Sequence, residues 1–564
     1  MPAKSYWGNE RVLIIILMML CLSLFFFRLG TRPLWDIDEG MHAAISKAMV
    51  LSGDWVTPQY NGKNFYDKPP LFNWLAAFSF LVFGFTEFAA RLPAALLGSG
   101  CVMTTYLLGR RMFNLQVAFL SAVVLATSAE YIILSRVVVH DISLVFCDTL
   151  ALTLFFLGYQ NARHRKRNFL LGYAALGLDV LAKGPVGVVM PAMIIVLFLV
   201  YKKQLGFLKE MQMGRGVLLF LAIAAPWYIL ICLKNPDYFE YFFIKKNVGS
   251  FLSKTSRHQE PFYYYFPVLL GGFFPWSCFF PLSLIHAFRF HLKNKSQEMI
   301  FLLIWFGFIF LFFSTARSKL ATYILPLYPA ASILVGVIWY DLINSPTRQL
   351  RRGFTFSFLP LVITFPLALI YIWIYPPTQL LTDSGLDSAR LYYVAFWMVI
   401  CVIVSFSMLL MQKDKTLFAT IVGMISSTAL LFLLLMVPSI NPYRSTKELA
   451  YKFDAMQPHH ENLVFFDKAL DSALFYSNRG VLVLNNPQQL KEYLISKKNV
   501  YCILKSDDLK LIEDLKPFFD IADQVGNKVL ITNKKLGHET EVKTTARELL
   551  AACRRLSILT SGLC

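Results

Sequence analysis

Apolar runs long enough to cross a membrane recur along the chain as far as Met436, separated by short polar segments. A spanning helix needs about 20 mostly apolar residues. Thirteen stretches meet this loosely: 11–29, 91–109, 116–134, 141–158, 169–182, 185–201, 216–233, 266–288, 299–314, 322–341, 354–375, 391–411 and 416–436. A further apolar stretch, 71–86, is short and follows directly on Pro69-Pro70. From Pro438 the pattern changes. Apolar clusters at 463–466, 481–484, 499–504 and 528–532 read as short buried strands, with helix-like stretches Pro487 to Ser496 and Asp507 to Leu515 between them. Residues 542–555 read as a final amphipathic helix. The expected architecture is an all-α multi-span membrane domain over 1–436, followed by a small soluble α/β domain over 437–564.

Charge decides the orientation. If the N-terminus is inside and 71–86 does not cross, every short loop on the inner side is basic. These loops carry Arg110-Arg111, the cluster from Arg163 to Arg167, Lys202-Lys203, Arg289 with Lys293 and Lys295, Arg348 with Arg351 and Arg352, and Lys413 with Lys415. That is the asymmetry that membrane insertion selects. The stretch 71–86 is therefore expected to be an interfacial or re-entrant helix. The polar segments 30–70, 139–141, 183–185, 234–265 and 315–323 then share the outer side with the C-terminal domain.

Composition agrees. The 564 residues are 56% hydrophobic and only 16% charged, with a mean hydropathy of +0.53, so most of the chain sits in lipid. The formal net charge of +19 thus reports orientation, and no basic stripe interleaved with aromatics points to nucleic acid. Nine cysteines without CxxC spacing give neither a disulfide framework nor a zinc–cysteine site. The first apolar run lacks a small-residue cleavage site and reads as a retained span.

Candidate chemistry starts in the first polar segment, Leu34 to Pro70. Asp38-Glu39 offer a general base near an acceptor hydroxyl, or equally the acidic first turn of the helix MHAAISKAM that follows. Lys68, in Tyr66-Asp67-Lys68-Pro69-Pro70, is a point-charge ligand for phosphate or a lysine snorkelling from the helix behind it. His140-Asp141 opens a span at its outer end, with Asp148 two turns deeper on the same face as a packing partner. Acids at that depth face protein or water. Lys183-Gly184-Pro185 breaks a long apolar run; it presents a cation and a backbone N–H to an anion, or is a plain helix hairpin. His258 lies beside Arg257 and Glu260, and Arg317, Lys319 and Tyr323 stand at the head of another span.

Taken in order, these motifs carry a resemblance. The DE pair after the first span is followed by FYDKPP, RLPAALLG from Arg91 to Gly98, HD, KGP, RHxxPFYYY and SKLATYILPLYP. The chain resembles the bacterial membrane glycosyltransferases typified by lipid A 4-amino-4-deoxy-L-arabinose transferase. Those are relatives of the dolichyl-phosphate-mannose protein mannosyltransferases, with the multi-span GT-C fold. The resemblance implies inverting transfer of a sugar from an undecaprenyl-phosphate carrier on the periplasmic face of the bacterial inner membrane. The implied partners are that donor, lipid A or another periplasmic acceptor, and membrane lipids. It implies that Asp38 is the essential acid, Asp141 the second acid, Lys68 a carrier-phosphate ligand and Tyr323 a neighbour of the donor phosphate; the reading of the residues themselves adds Glu39 to the catalytic candidates and Lys183, Arg317 and Lys319 to the carrier-phosphate candidates. The resemblance also implies that Asp67 and His258 can hold a divalent metal, zinc or magnesium. Met41 stands where the arabinose transferases carry Arg, and Asp67 where they carry Glu.

Protein O-mannosylation is the alternative acceptor chemistry. A secondary transporter is the rival class, but it predicts matched halves and ionisable residues on broken helices near the mid-plane. Here they cluster at span ends on one side.

Overall fold

The computed structural model describes residues 9–249, 259–375, 381, 385–456, 462–468, 470–477, 479–496 and 500–534. The chain divides into two compact units, Met1–Ser445 and Thr446–Cys564. The division falls after 436 because the last long helix of the first unit continues, through a π-helical turn at Phe432–Met436, as far as Arg444.

The first unit opens with α1 (Glu10–Cys21), capped by the Asn9 side chain and continued by a π turn, Leu22–Phe26. The polar loop that follows carries α2 (Asp38–Ser52), which ends on Gly53 at a φ of 70°. Next comes a small hairpin of β1 (Gln59–Tyr60) and β2 (Lys63–Asn64). Its Asn61-Gly62 turn has positive φ at both residues, the geometry that Asn-Gly favours. It returns the chain as Phe65-Tyr66-Asp67-Lys68 to the start of α3 (Leu71–Phe83). At 1.5 Å per residue α3 is about 20 Å long, too short to span.

Then follow α4 (Glu87–Met112), α5 (Leu115–Ala126), α6 (Ala129–Leu134), α7 (Asp141–Gln160), α8 (Arg165–Lys183), α9 (Val186–Tyr201) and α10 (Met213–Lys234). Asn114 and Thr86 cap α5 and α4 with their side chains. The segment between α8 and α9 is a tight break at Gly184, whose φ is +82° and where an added Cβ would meet the Phe242 ring at 2.8 Å. Only glycine fits there.

The thirteen expected spans are not thirteen uninterrupted helices. Among the described residues, eight helices are long and apolar enough to cross: Glu87–Met112, Asp141–Gln160, Met213–Lys234, Gln297–Thr315, Ala321–Asn344, Arg348–Ile374, Ser388–Leu410 and Asp414–Arg444. Of the other five expected spans, two are broken, two lie in shorter helices and one lies in a helix with a strongly basic first turn. The run 116–134 parts at Thr127-Ser128 between α5 and α6, and 266–288 parts around Trp276 between Tyr265–Gly272 and Phe280–Asn294. The run 169–182 lies inside α8, whose first turn is Arg165-Lys166-Arg167; α1 and α9 are 12 and 16 residues long. Buried polar side chains stabilise such breaks, as where Trp276 Nε1 donates to Thr127 Oγ1 at 3.0 Å.

Helix α7 packs along α8 and α4 and, with Ala321–Asn344, is among the most buried of the eight, whereas Arg348–Ile374 exposes most of its surface. That surface is apolar, with Phe356, Trp373 and Tyr371 outward, as a lipid-facing helix requires.

The second unit holds a five-stranded sheet built from β3 (Leu463–Phe466), β4 (Val481–Leu484), β5 (Tyr501–Lys505), β6 (Asp520–Val525) and β7 (Lys528–Thr532), in the order β4-β3-β5-β7-β6. The β4, β3 and β5 strands are parallel; β7 and β6 add antiparallel. Alternate residues face opposite sides: Val464, Phe466, Cys502 and Leu504 enter one core, Leu463, Phe465, Tyr501 and Ile503 the other. Strand β6, Asp-Ile-Ala-Asp-Gln-Val, is absent from the sequence reading because it is a mostly exposed edge strand with no apolar cluster to announce it. The stretch 542–555 lies outside the described residues.

Candidate active site

Two adjacent acids part company at the start of α2. Successive helix positions point about 100° apart, so Asp38 and Glu39 cannot share a direction. Asp38 is exposed at the first position of the helix. Glu39 is buried at 5% exposure and gripped from two sides. Arg91 binds it with Nε at 2.7 Å and Nη2 at 2.9 Å, and Arg32 Nη2 adds a bond at 3.0 Å. The backbone N–H of Trp35 donates to it at 3.0 Å. Arg91 also donates to the carbonyls of Leu29, Arg32 and Pro33, which ties the whole first loop to α4. Glu39 thus anchors the loop, its carboxylate accepting from two guanidinium groups and a backbone N–H.

The charged centre lies where α7, α8 and the loop before α3 meet. Asp141 and Lys183 form a direct ion pair, with side chains 18% and 10% exposed. The Thr322 side chain also hydrogen-bonds Asp141. Lys183 Nζ sits 4.7 Å from the centre of the Tyr323 ring, within cation–π range. Lys68 and Asp67 are half-buried, and Tyr241 donates to Asp67 at 2.5 Å. Asp148, deeper on α7, is fully buried and interacts with Asp179 of α8.

Between these groups lie two buried imidazoles. His42, one turn after Asp38, and His140, one residue before Asp141, stand edge to face with ring centres 4.3 Å apart. Burial, then the charge of Lys68, pushes His42 down to about 3, against the opposing pull of Asp141 and Asp67. Burial and then His42, Lys68 and Lys183 hold His140 well below its usual value. Both rings are neutral at ordinary pH.

Two shifts give a pH dependence with a definite sign. Burial raises the Glu39 carboxyl, but Arg32, Arg91 and the Trp35 N–H outweigh it and hold it at about 2. An unfolded chain binds protons at His42 near pH 6.5 and at Glu39 near 4.5, while the folded chain does so only near 3 and 2. Protons therefore favour unfolding across this window. Unfolding midpoints in detergent should fall from pH 6.5 downward, and His42→Phe should make the upper part of the fall shallower, His140 supplying the rest. A midpoint flat from pH 6.5 to 4 would refute this.

The remaining candidates divide. Lys319 is buried and donates to the carbonyls of Glu260 at 2.8 Å and Ala316 at 2.5 Å. It pins a loop, with two of its three ammonium donors given to carbonyls. Arg317 is exposed and lines a cleft of about 650 Å³ with Gln259, Glu260 and Phe262. His258 lies outside the described residues, and among those described no three His, Cys, Asp or Glu side chains converge on a metal position. Arg91, Tyr241, Thr322 and His42 were missed as partners. The one available signal was the i to i+4 spacing of Asp38 and His42.

Comparison with known proteins places this geometry in context. Residues 67–230 match the family described as dolichyl-phosphate-mannose-protein mannosyltransferase. An uncharacterized Aquifex aeolicus protein is 33% identical over 318 residues, covering 56% of this chain and 71% of its own length. The undecaprenyl phosphate-alpha-4-amino-4-deoxy-L-arabinose arabinosyl transferase 2 of Proteus mirabilis is 31% identical over 331 residues, 58% of this chain and 59% of its own. The chain thus spans about three-fifths of the length of such curated relatives. Among solved structures, ArnT from Cupriavidus metallidurans bound to undecaprenyl phosphate superposes with a TM-score of 0.80 at 22% identity, covering 95% of this chain and 100% of that one. The oligosaccharyltransferase AglB from Archaeoglobus fulgidus gives 0.53 at 12% identity, covering 90% and 70%. The fold is that of these solved membrane proteins, and over the stretches given the chain is similar to the undecaprenyl-phosphate 4-amino-4-deoxy-L-arabinose transferases and to the dolichyl-phosphate-mannose-protein mannosyltransferase family.

Proposed function

We propose that this chain is an inverting glycosyltransferase that moves a sugar from an undecaprenyl-phosphate carrier to a periplasmic acceptor, with lipid A as the first acceptor to test. The observation that carries this is the Lys183–Asp141 pair with Tyr323 against it and Lys68 close enough to bias the same groups. Lys68 and Lys183 are the cations for the phosphate that leaves. Tyr323 covers one of them. Asp38, exposed at the head of α2, meets the acceptor.

In the step itself the acceptor oxygen attacks the anomeric carbon from the side opposite the phosphate. The bond from that carbon to the phosphate oxygen breaks, the electron pair leaves with undecaprenyl phosphate, and the hydroxyl proton passes to Asp38. Cationic stabilisation of the departing phosphate is the largest expected contribution. A protein hydroxyl is the alternative acceptor. Mass spectrometry of lipid A and of periplasmic glycoproteins, with and without the gene, decides between them; no sugar lost from either would refute the reading.

Lys68→Ala should weaken use of the donor about 10- to 100-fold, the worth of one charge-assisted hydrogen bond, and Lys68→Arg should retain part. Unchanged kinetics in an inserted Lys68→Ala protein would leave snorkelling as its whole role. Asp67 with His258 is the pair for a divalent cation, and no part of the step above runs through it. Turnover lost to a chelator and restored by zinc or magnesium would assign it.

The site requires a periplasmic face, and thirteen crossings with α3 lying at the interface supply one. An impermeant thiol reagent should reach a cysteine placed near Lys413 only from the cytoplasm, and one near Lys505 only from outside. Reversed labelling would mean that α3 crosses.

A further inference from the structure

We propose that His42 and His140 form a sugar-reading subsite, in which their neutral ring nitrogens hydrogen-bond a hydroxyl or amino substituent of the transferred sugar. This rests on the glycosyltransferase reading above and gives it a specificity determinant. The two side chains come from different elements that both carry an acid of the site: His42 lies one turn from Asp38, and His140 is next to Asp141. They are 5% and 2% exposed. Yet Nδ1 of His42 and both ring nitrogens of His140 have no hydrogen-bond partner among the described residues. Buried polar atoms are almost always paired, and three ring nitrogens without a partner in one pair of rings call for a polar group that the described residues do not supply.

The chemistry selects the ligand. A neutral imidazole carries one donor and one acceptor, which complements a hydroxyl or amine. A phosphate calls for cations, and Lys68 and Lys183 already supply them. A metal ion is disfavoured because both lysine charges act on His140. Phe72, with its ring centre 5.3 Å from that of His140, and Phe65, 6.2 Å from His42, add flat apolar walls. A pyranose offers an apolar face and a polar rim to such a corner.

The test separates sugar from carrier. The probes are undecaprenyl phosphate alone, its 4-amino-4-deoxy-L-arabinosyl, mannosyl and glucosyl forms, and deoxy versions of each. Dissociation constants are measured in nanodiscs, without turnover. In the unaltered protein at least one sugar-bearing carrier should bind more tightly than undecaprenyl phosphate, and removal of one polar substituent should cost roughly 10- to 100-fold, the price of an unpaired buried group. His42→Phe and His140→Phe should hold undecaprenyl phosphate as before while the substituent discrimination falls to about threefold or less. His42→Asn, which keeps a hydrogen-bonding group, should keep part of it, and it serves also if a Phe variant fails to fold.

Discrimination that survives in the variants would overturn the subsite, as would equal loss of bare carrier and sugar-bearing carrier. So would an unaltered protein that prefers no sugar. The carrier reading is judged separately, by whether Lys68→Ala weakens undecaprenyl phosphate alone.

Discussion

Asp38→Asn should insert, fold and hold undecaprenyl phosphate normally, yet transfer sugar about 100-fold or more slowly, the usual worth of a positioned general base. The folding half of this expectation follows from exposure. Asp38 is exposed at the first position of α2, so removing its charge leaves no buried group uncompensated, and its interaction with the helix dipole is weak. The catalytic half separates into two roles by pH. If Asp38 takes the acceptor's proton, the rate profile has an acidic limb that vanishes in Asp38→Asn. If the acceptor is an already ionised phosphate, no base is needed; Asp38 then positions a substrate, and the limb remains. A folded variant within threefold of full activity would remove Asp38 from the site altogether.

Arg91→Ala should be the most destabilising single change in the first unit, by about 3–5 kcal/mol, because it leaves a buried carboxylate short of its main partner. Three backbone carbonyls, of Leu29, Arg32 and Pro33, lose a donor at the same time. The measurement is unfolding of the detergent-solubilised protein. Glu39→Gln provides the comparison: it removes the charge but keeps a carbonyl oxygen for Arg91, so it should cost less. Activity in both variants should track the folded fraction rather than fall beyond it. Arg91→Ala within about 1 kcal/mol of the parent would mean that the clamp is not holding the loop.

These two residues show where sequence reading ends. Asp38 and Glu39 are indistinguishable as letters, and both invited a catalytic role. Their roles were separated by helix rotation and by an arginine 52 positions away. Lys319 and Tyr323 posed the same problem. Four residues apart in one motif, they have different environments: Lys319 donates to two carbonyls, and Tyr323 faces Lys183.

The sequence by itself determined what repeated local chemistry can determine. Lipid demands long apolar helices with their backbone groups paired internally, so the helical stretches and their basic flanks were legible directly, and strands β3, β4, β5 and β7 of the second unit stood out as apolar clusters. Breaks inside helices were not legible, because a polar side chain such as Thr127 is stabilised there by a partner, Trp276, that is remote in the chain. Edge strand β6 was not legible, because an exposed strand carries no burial pattern. The site was legible as an inventory of ionisable residues on one side. Only tertiary structure decided the pairing, joining Asp141 to Lys183 across 42 residues, Glu39 to Arg91, and His42 to His140. An ion pair or ring contact depends on separations of a few ångströms between distant segments, and local sequence pattern carries no information about those.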